Sequence, residues 1–221
     1  MIWIQHVTIL DLLLKGLVIG IVASAPMGPV GVLCLQRTLN KGRWYGFVTG
    51  VGAALSDIIY ALITGYGMSF MDGFLTRNQT LLQIMGSLML LGFGIFTFRS
   101  NPVRSLRPTD PNKKHGSYFR NFITSFLVTL SNPLIIFLFI GLFAQFKFVM
   151  PYHHWISQTC GFIGITGGAI LWWSMLTYFV DKIRRSFNLR GIWVMNKVIG
   201  GFVILIALAG VIYTLTGNSV Y

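Results

Sequence analysis

Six stretches of this sequence each run for more than twenty residues with at most one charge: 16–36, 44–71, 78–98, 121–146, 155–180 and 198–221. A helix needs about 20 apolar residues to cross a bilayer, so each stretch is long enough to span. Little chain is left over for a water-soluble domain. The sequence therefore predicts one all-α integral membrane domain of six transmembrane helices. Only 10% of the residues are charged and the mean hydropathy is +0.71, whereas soluble domains carry about 25% charged residues. The first stretch contains "VASAPMGPVGVLCLQ", with Pro26, Gly28 and Pro29 deep inside it. Those residues are poor in a helix interior, so helix one is expected to be interrupted.

The net charge of +12 would point to nucleic acid in a soluble chain, but its distribution points to a membrane. Fourteen of the 17 Lys and Arg residues fall in the loops after spans one, three and five, and only Lys15, Arg77 and Lys147 lie on the other side. The positive-inside rule makes the basic loops cytoplasmic and puts both termini outside. No nucleic-acid partner is expected; contact with anionic lipid is. The small residues of "VASA" resemble a signal cleavage site. Residues 1–10 lack Lys and Arg, however, and Pro26 follows at once, so the segment is expected to remain as a span. Cys34 and Cys160 form no CxxC pair, and no metal site or cofactor is expected. His153–His154 stand alone in a short loop, and "RSNPVRSLRPTDPNKKHG" has the composition of a flexible basic linker.

The spans repeat. "GFVTGVGAALSDIIY" from Gly46 and "GFIGITGGAILWWSM" from Gly161 share Gly-Phe at the start, glycine at the seventh position and alanine at the ninth. Spans three and six match more loosely. Spans one and four both carry proline near the middle, at Pro26/Pro29 and at Pro133 within "TLSNPLIIF". A three-helix unit that repeats must be inverted in the membrane, which is a transporter architecture. The expected organisation is 3+3: residues 1–98, a linker at 99–117, and residues 118–221. Interrupted helices leave backbone groups that lipid cannot satisfy, so two related breaks point to one shared central site.

Asp57 is the one acid deep in a span. A central aspartate costs about 2.5–3.5 kcal/mol on insertion scales and so faces the bundle interior. Gly46, Gly50, Ala53, Asp57 and Thr64 share one face at helical spacing. Such a carboxyl can bind a proton, pair with a cationic substrate, or act structurally by bonding to Ser24, Asn132 or an arginine. Trp172 is its counterpart in the repeat. Gln145 reads as an interfacial residue near the outer end of helix four.

Residues 24–60, "SAPMGPVGVLCLQRTLNKGRWYGFVTGVGAALSDIIY", resemble the lysine exporter (LysE/RhtB) family of bacterial amino-acid export proteins. Pro26-Met27-Gly28-Pro29, Gly42, Gly46, Asp57, Asn132-Pro133 and Gln145-Phe146 carry the resemblance. Leu134 stands where many members have Lys, and Ala144 where many have Pro. The resemblance implies a secondary transporter, not an enzyme, in the bacterial inner membrane, moving amino acids outward by proton or ion exchange. Lysine and then arginine are the expected substrates, because Asp57 can balance a cationic side chain. The expected site comprises Ser24, Pro26, Met27, Gly28, Pro29, Asp57, Asn132 and Pro133. Helix N-termini would take the substrate carboxylate and freed carbonyls its amino group. Neutral amino acids such as threonine and homoserine, or an inorganic cation, are alternative cargoes. A membrane thiol oxidoreductase is the alternative of a different class. The small-residue faces allow a homodimer without requiring one.

Overall fold

A computed structural model describes residues 2–26, 28–69, 79–99, 117–132, 134–148, 155–182 and 189–215. Met27, Pro133, His153, His154 and residues 100–116 of the linker lie outside the described residues. Every regular element described is helical: α1 (Ile2–Ser24), α2 (Pro29–Lys41), α3 (Arg43–Ser69), α4 (Gln79–Arg99), α5 (Tyr118–Leu130), α6 (Leu134–Gln145), α7 (Trp155–Lys182) and α8 (Leu189–Leu215).

The helix ends follow the sequence. Pro26 lacks an N–H and pushes its predecessor out of the helical region, so α1 stops at Ser24. Pro29 then opens α2 at its first position, where a missing N–H costs nothing. Gly42, at φ 103°, turns the chain from α2 into α3, a conformation that favours glycine. Ser131 ends α5 with its N–H bonded to the Leu127 carbonyl, just before the Asn-Pro pair. α1 and α2 meet at 79°, and α5 and α6 at 72°. α1 begins well before residue 16, so the first break falls past the middle of the combined segment.

Among the described residues, α3 and α7 can each cross a membrane alone, and the bent pairs α1–α2 and α5–α6 qualify as two further spans. α4 and α8 hold the shorter apolar segments Ile84–Arg99 and Lys197–Ile212. Outward faces carry large apolar side chains such as Leu127, Ile163, Leu171, Phe202 and Leu205. A chain with this belt and two to four candidate spans is an integral membrane protein.

Small residues set the packing. α1 and α7 run parallel in close contact. A Cβ on Gly16 would sit 2.1 Å from the Gly161 carbonyl oxygen, on Gly20 2.1 Å from that of Ile165, and on Gly168 2.1 Å from that of Leu17. Without a hydrophobic drive between helices in lipid, such close backbone approach is what holds them. α3 and α5 also run parallel, with Gly52 against the Phe122 carbonyl and Ser56 Oγ donating to the Phe126 carbonyl at 2.8 Å. α4 runs antiparallel to α8, where Gly94 faces Ile204 and Gly200 faces Phe98, and antiparallel to α6, where Gly86 faces Gly141. Two apolar clusters result. One joins Leu12, Ile19, Phe139, Phe143, Phe148 and Ile165; the other joins Cys34, Leu35, Ala53, Ala169, Trp173 and Leu176.

The start of α3, the ends of α4 and α7, and the starts of α5 and α8 gather at one end of the bundle. There Arg43 lies over the rings of Trp44 and Tyr178, Lys197 lies over Phe98 and Trp193, and Tyr45 stacks on Tyr118 at 4.3 Å. Cations with aromatic rings mark a membrane–water boundary.

The α1–α7 seam predicts that Gly168→Leu forces the two backbones apart. The expected loss is at least the roughly 1–3 kcal/mol typical of overpacking, read as a lower unfolding temperature in detergent. Its neighbour Gly167 is exposed, and a Cβ added there would meet nothing within 4 Å. Gly167→Leu should therefore leave the transition where it is.

Candidate functional site

The two breaks and Asp57 meet. Ser24, Pro26, Gly28 and Pro29 from the first break, Asp57 from α3, and Asn132 from the second break line one cavity. Six of the eight residues expected from the sequence are thus brought together; Met27 and Pro133 are outside the described residues. Ala23, Val30, Gly31, Ala53, Phe93, Val128, Thr129, Ile135, Leu138 and Trp173 complete the wall. The cavity sits where the two apolar clusters adjoin. Asp57 is central in α3 and Trp173 lies just past the middle of α7.

The face of α3 that carries Asp57 is buried, with Gly46, Gly50, Ala53 and Thr64 buried alongside it. Asp57 itself is 6% exposed. Ser24 Oγ donates to Asp57 Oδ2 at 3.2 Å, tying the end of α1 to the middle of α3. Asp57 is the one charged residue among those described in the cavity wall.

Several polar groups freed at the breaks have protein partners. Gly28 N–H donates to the Pro26 carbonyl at 2.9 Å, Asn132 N–H to the Thr129 carbonyl at 3.0 Å, and Ile135 N–H to the Asn132 carbonyl at 3.3 Å. The Tyr60 hydroxyl donates to the Leu130 carbonyl, and Leu134 N–H to Asn132 Oδ1 at 3.3 Å. Asn132 thus caps the start of α6, while Tyr60 reaches from α3 to cap the end of α5. The start of α2 differs: Gly28 at its N-cap supplies no side-chain bond. The first N–H groups of α2, at Val30 and Gly31, have no carbonyl within their own helix, and both residues line the cavity.

Two more wall residues carry buried atoms without partners, Thr129 Oγ1 and Trp173 Nε1. An unsatisfied buried donor costs about 1–3 kcal/mol. The sequence repeat singles out Trp172 as the partner of Asp57. The structure instead places Trp173 at the cavity and Trp172 in an apolar groove with Ile21, Val22, Val198 and Phe202. The repeat alignment fixes which helix faces which, but not which of two adjacent rings turns inward. Gly50 makes the room: a Cβ there would lie 2.5 Å from the Trp173 ring.

The cavity holds about 90 Å³, equal to roughly three waters at about 30 Å³ each. Ligand pockets usually measure about 300–1,000 Å³. The arrangement is contracted, and a larger cargo requires the walls to separate.

Arg37 and Gln145 sit differently from their sequence reading, and Cys34 lies outside the cavity. Arg37 is not a loop residue. It is half-buried in α2, where Nη1 donates to Thr49 Oγ1 at 2.9 Å and to the Asn121 carbonyl at 2.8 Å. Gln145 accepts from Ser87 Oγ at 2.9 Å and packs on Gly210, so it joins α4, α6 and α8. Cys34 is buried with its thiol toward the Gly46 carbonyl at 3.4 Å, away from the cavity wall. No group of three or more His, Cys, Asp and Glu side chains converges among the described residues.

Comparison with known proteins agrees with this geometry. The family model of the LysE type translocator matches residues 21–214. The chain is 33% identical over 140 residues to the "Putative amino acid efflux protein YcgF" of Bacillus subtilis (strain 168), covering 62% of this chain and 64% of that protein. It therefore spans just under two thirds of that relative's length. It is also 27% identical over 179 residues to the "Uncharacterized membrane protein YahN" of Escherichia coli (strain K12), covering 79% of this chain and 77% of that one.

The Tyr60 cap gives a direct test of how the second break is held. Tyr60→Phe keeps the ring in the core and leaves the Leu130 carbonyl unpaired. A loss of about 1–3 kcal/mol is expected, lowering the midpoint of thermal unfolding in detergent. Ser131→Ala removes only an exposed bond within the helix and should leave that midpoint unchanged.

Proposed function

Because the chain belongs to the LysE type translocator family, we propose that it exports amino acids through the cavity between the two helix breaks. It is a membrane transporter and not an enzyme. The observation that carries the amino-acid reading is one buried carboxylate among the described wall residues and a helix start without a side-chain cap, lining the same cavity. An amino acid presents an ammonium and a carboxylate, and this wall offers a partner for each. The name of the Bacillus subtilis relative supports the same cargo.

We read the topology as six spans in two inverted halves, residues 1–98 and 118–221, joined by a cytoplasmic linker at 99–117. Helix pairing supports it. The first element of each half packs on the third of the other, as α1 on α7 and α5 on α3, and both pairs are parallel. α2 with α7 and α6 with α3 form a second exchanged pair, and α1 with α6 and α5 with α2 a third. The basic, aromatic-ringed end is taken as cytoplasmic, which puts both termini outside the inner membrane. The cavity would open to each side in turn as the halves rock about it.

Asp57 is proposed as the coupling residue. It binds a proton or the substrate's positive charge, not both. Exporting a cation from an inside-negative cell opposes about 2.3 kcal/mol per charge per 100 mV, and exchange for an entering proton removes that term. A preference for lysine requires Asp57 to meet the side-chain ammonium while backbone carbonyls hold the α-ammonium.

The experiment is dipeptide loading of cells that express the protein, with free amino acid followed outside. Lysine-containing and threonine-containing dipeptides are compared for wild type and Asp57→Asn. Export of at least one amino acid by wild type and its loss in a normally inserted Asp57→Asn are expected. Equal export by both proteins would remove Asp57 from the transport step. No export of either amino acid by inserted wild type would overturn the reading.

A further inference from the structure

The cavity wall combines buried donors that lack partners with a single carboxylate among its described residues. The indole Nε1–H of Trp173 can only donate, and the Thr129 hydroxyl can donate. Both are buried, at 4% and 5% exposure, and neither polar atom has a partner. The start of α2, where Gly28 gives no side-chain cap, brings Val30 and Gly31 to the same wall. Asp57 is the one carboxylate among the described wall residues. The remaining wall is largely apolar, with Ala23, Ala53, Phe93, Val128, Ile135 and Leu138.

Four backbone acceptors at the breaks already serve the protein. The carbonyls of Pro26, Thr129, Leu130 and Asn132 each accept a bond from the protein itself. Asp57 is the one anionic acceptor among the described wall residues, so an α-ammonium entering the cavity is drawn to it, displacing or sharing the Ser24 hydroxyl. With Asp57 so used, no second acid among the described wall residues can meet a side-chain ammonium.

Resting on the amino-acid export reading above, we propose that Trp173 and Thr129 bind the substrate's α-carboxylate while Asp57 binds its α-ammonium, so that the site selects neutral amino acids over lysine. Donors kept unpartnered in the contracted cavity find their acceptor when the walls part around a zwitterion. The apolar residues then face a neutral side chain. Gly50 holds the indole in place by leaving room for its ring.

The test uses the purified full-length protein in proteoliposomes, with counterflow of labelled L-threonine competed by unlabelled L-threonine, L-lysine and L-threonine amide. The amide keeps the ammonium and loses the carboxylate. Wild type should prefer threonine to lysine, and threonine to its amide, by about tenfold or more, the scale of one charged hydrogen bond. Trp173→Phe and Thr129→Val should each raise half-saturation for threonine about tenfold and shrink the preference for threonine over its amide. A merely structural role would lower the rate without changing that ratio. Trp172→Phe, whose ring lies outside the cavity, should match wild type. Lysine competing as well as threonine, or a ratio unmoved in both Trp173→Phe and Thr129→Val, would overturn the inference and leave the exporter standing. Lysine counterflow without threonine counterflow would do the same. Absence of counterflow with either amino acid would overturn both.

Discussion

A helix broken inside a membrane frees backbone groups that lipid cannot satisfy, at a cost of several kcal/mol each. The rest of this structure depends on how those groups are answered. At the second break the protein answers most of them itself: Tyr60 takes the Leu130 carbonyl, and Asn132 takes the Leu134 N–H. At the first break the chain turns on its own Gly28–Pro26 bond and leaves the start of α2 without a side-chain cap. The two breaks are therefore similar in shape and different in chemistry. The capped one is a structural corner, and the open one presents donors to whatever fills the cavity.

The same asymmetry extends to the short helices that follow. α2 is fastened to α3 by polar contacts. Thr38 sits where a side chain on Gly46 would be, Cys34 turns its thiol to the Gly46 carbonyl, and Arg37 reaches Thr49 and, across the halves, Asn121. α6 instead packs on α4 through Gly86 and Gly141, with Gln145 and Ser87 at the end. An inverted repeat with both halves in identical packing would open to neither side. On the proposed inverted-repeat reading, different packing of α2 and α6 is what one state of alternating access requires. The arginine contact joins α2, α3 and α5, so it must stretch or break if the halves separate at that end.

Much of this was legible in the sequence because membrane rules are coarse. Charge-free length, prolines and one buried acid suffice to place Ser24, Pro26, Gly28, Pro29, Asp57 and Asn132 around one point. The helical face through Gly46, Gly50, Ala53, Asp57 and Thr64 follows from the roughly 100° step of a helix alone. What was not legible depends on packing between distant segments. Trp172 and Trp173 are equivalent in composition and adjacent in sequence, and only the space left by Gly50 turns the second toward the cavity. Arg37 resembles its neighbours in a basic loop until α5 supplies a carbonyl for it. Tyr60 is one aromatic residue among many until the Leu130 carbonyl lies within its reach. At the second break the Thr129, Leu130 and Asn132 carbonyls accept bonds from the protein itself, which a reading of the prolines alone does not supply.

The chemistry of a single carboxylate carries one further consequence. Asp57 cannot hold a proton and an ammonium together, so on the proposed reading substrate and proton exchange at one place by competition. With lysine as cargo, one charge leaves as one enters, and the membrane potential does no net work. With a neutral zwitterion as cargo, the proton's entry adds about 2.3 kcal/mol per 100 mV to export, enough for about a fiftyfold concentration ratio at that potential. A wall with one acid and a set of unpartnered donors thus suits a neutral cargo twice over. Among the described wall residues it leaves no counter-charge for a cationic side chain, and it lets the potential drive the step that matters to an exporter.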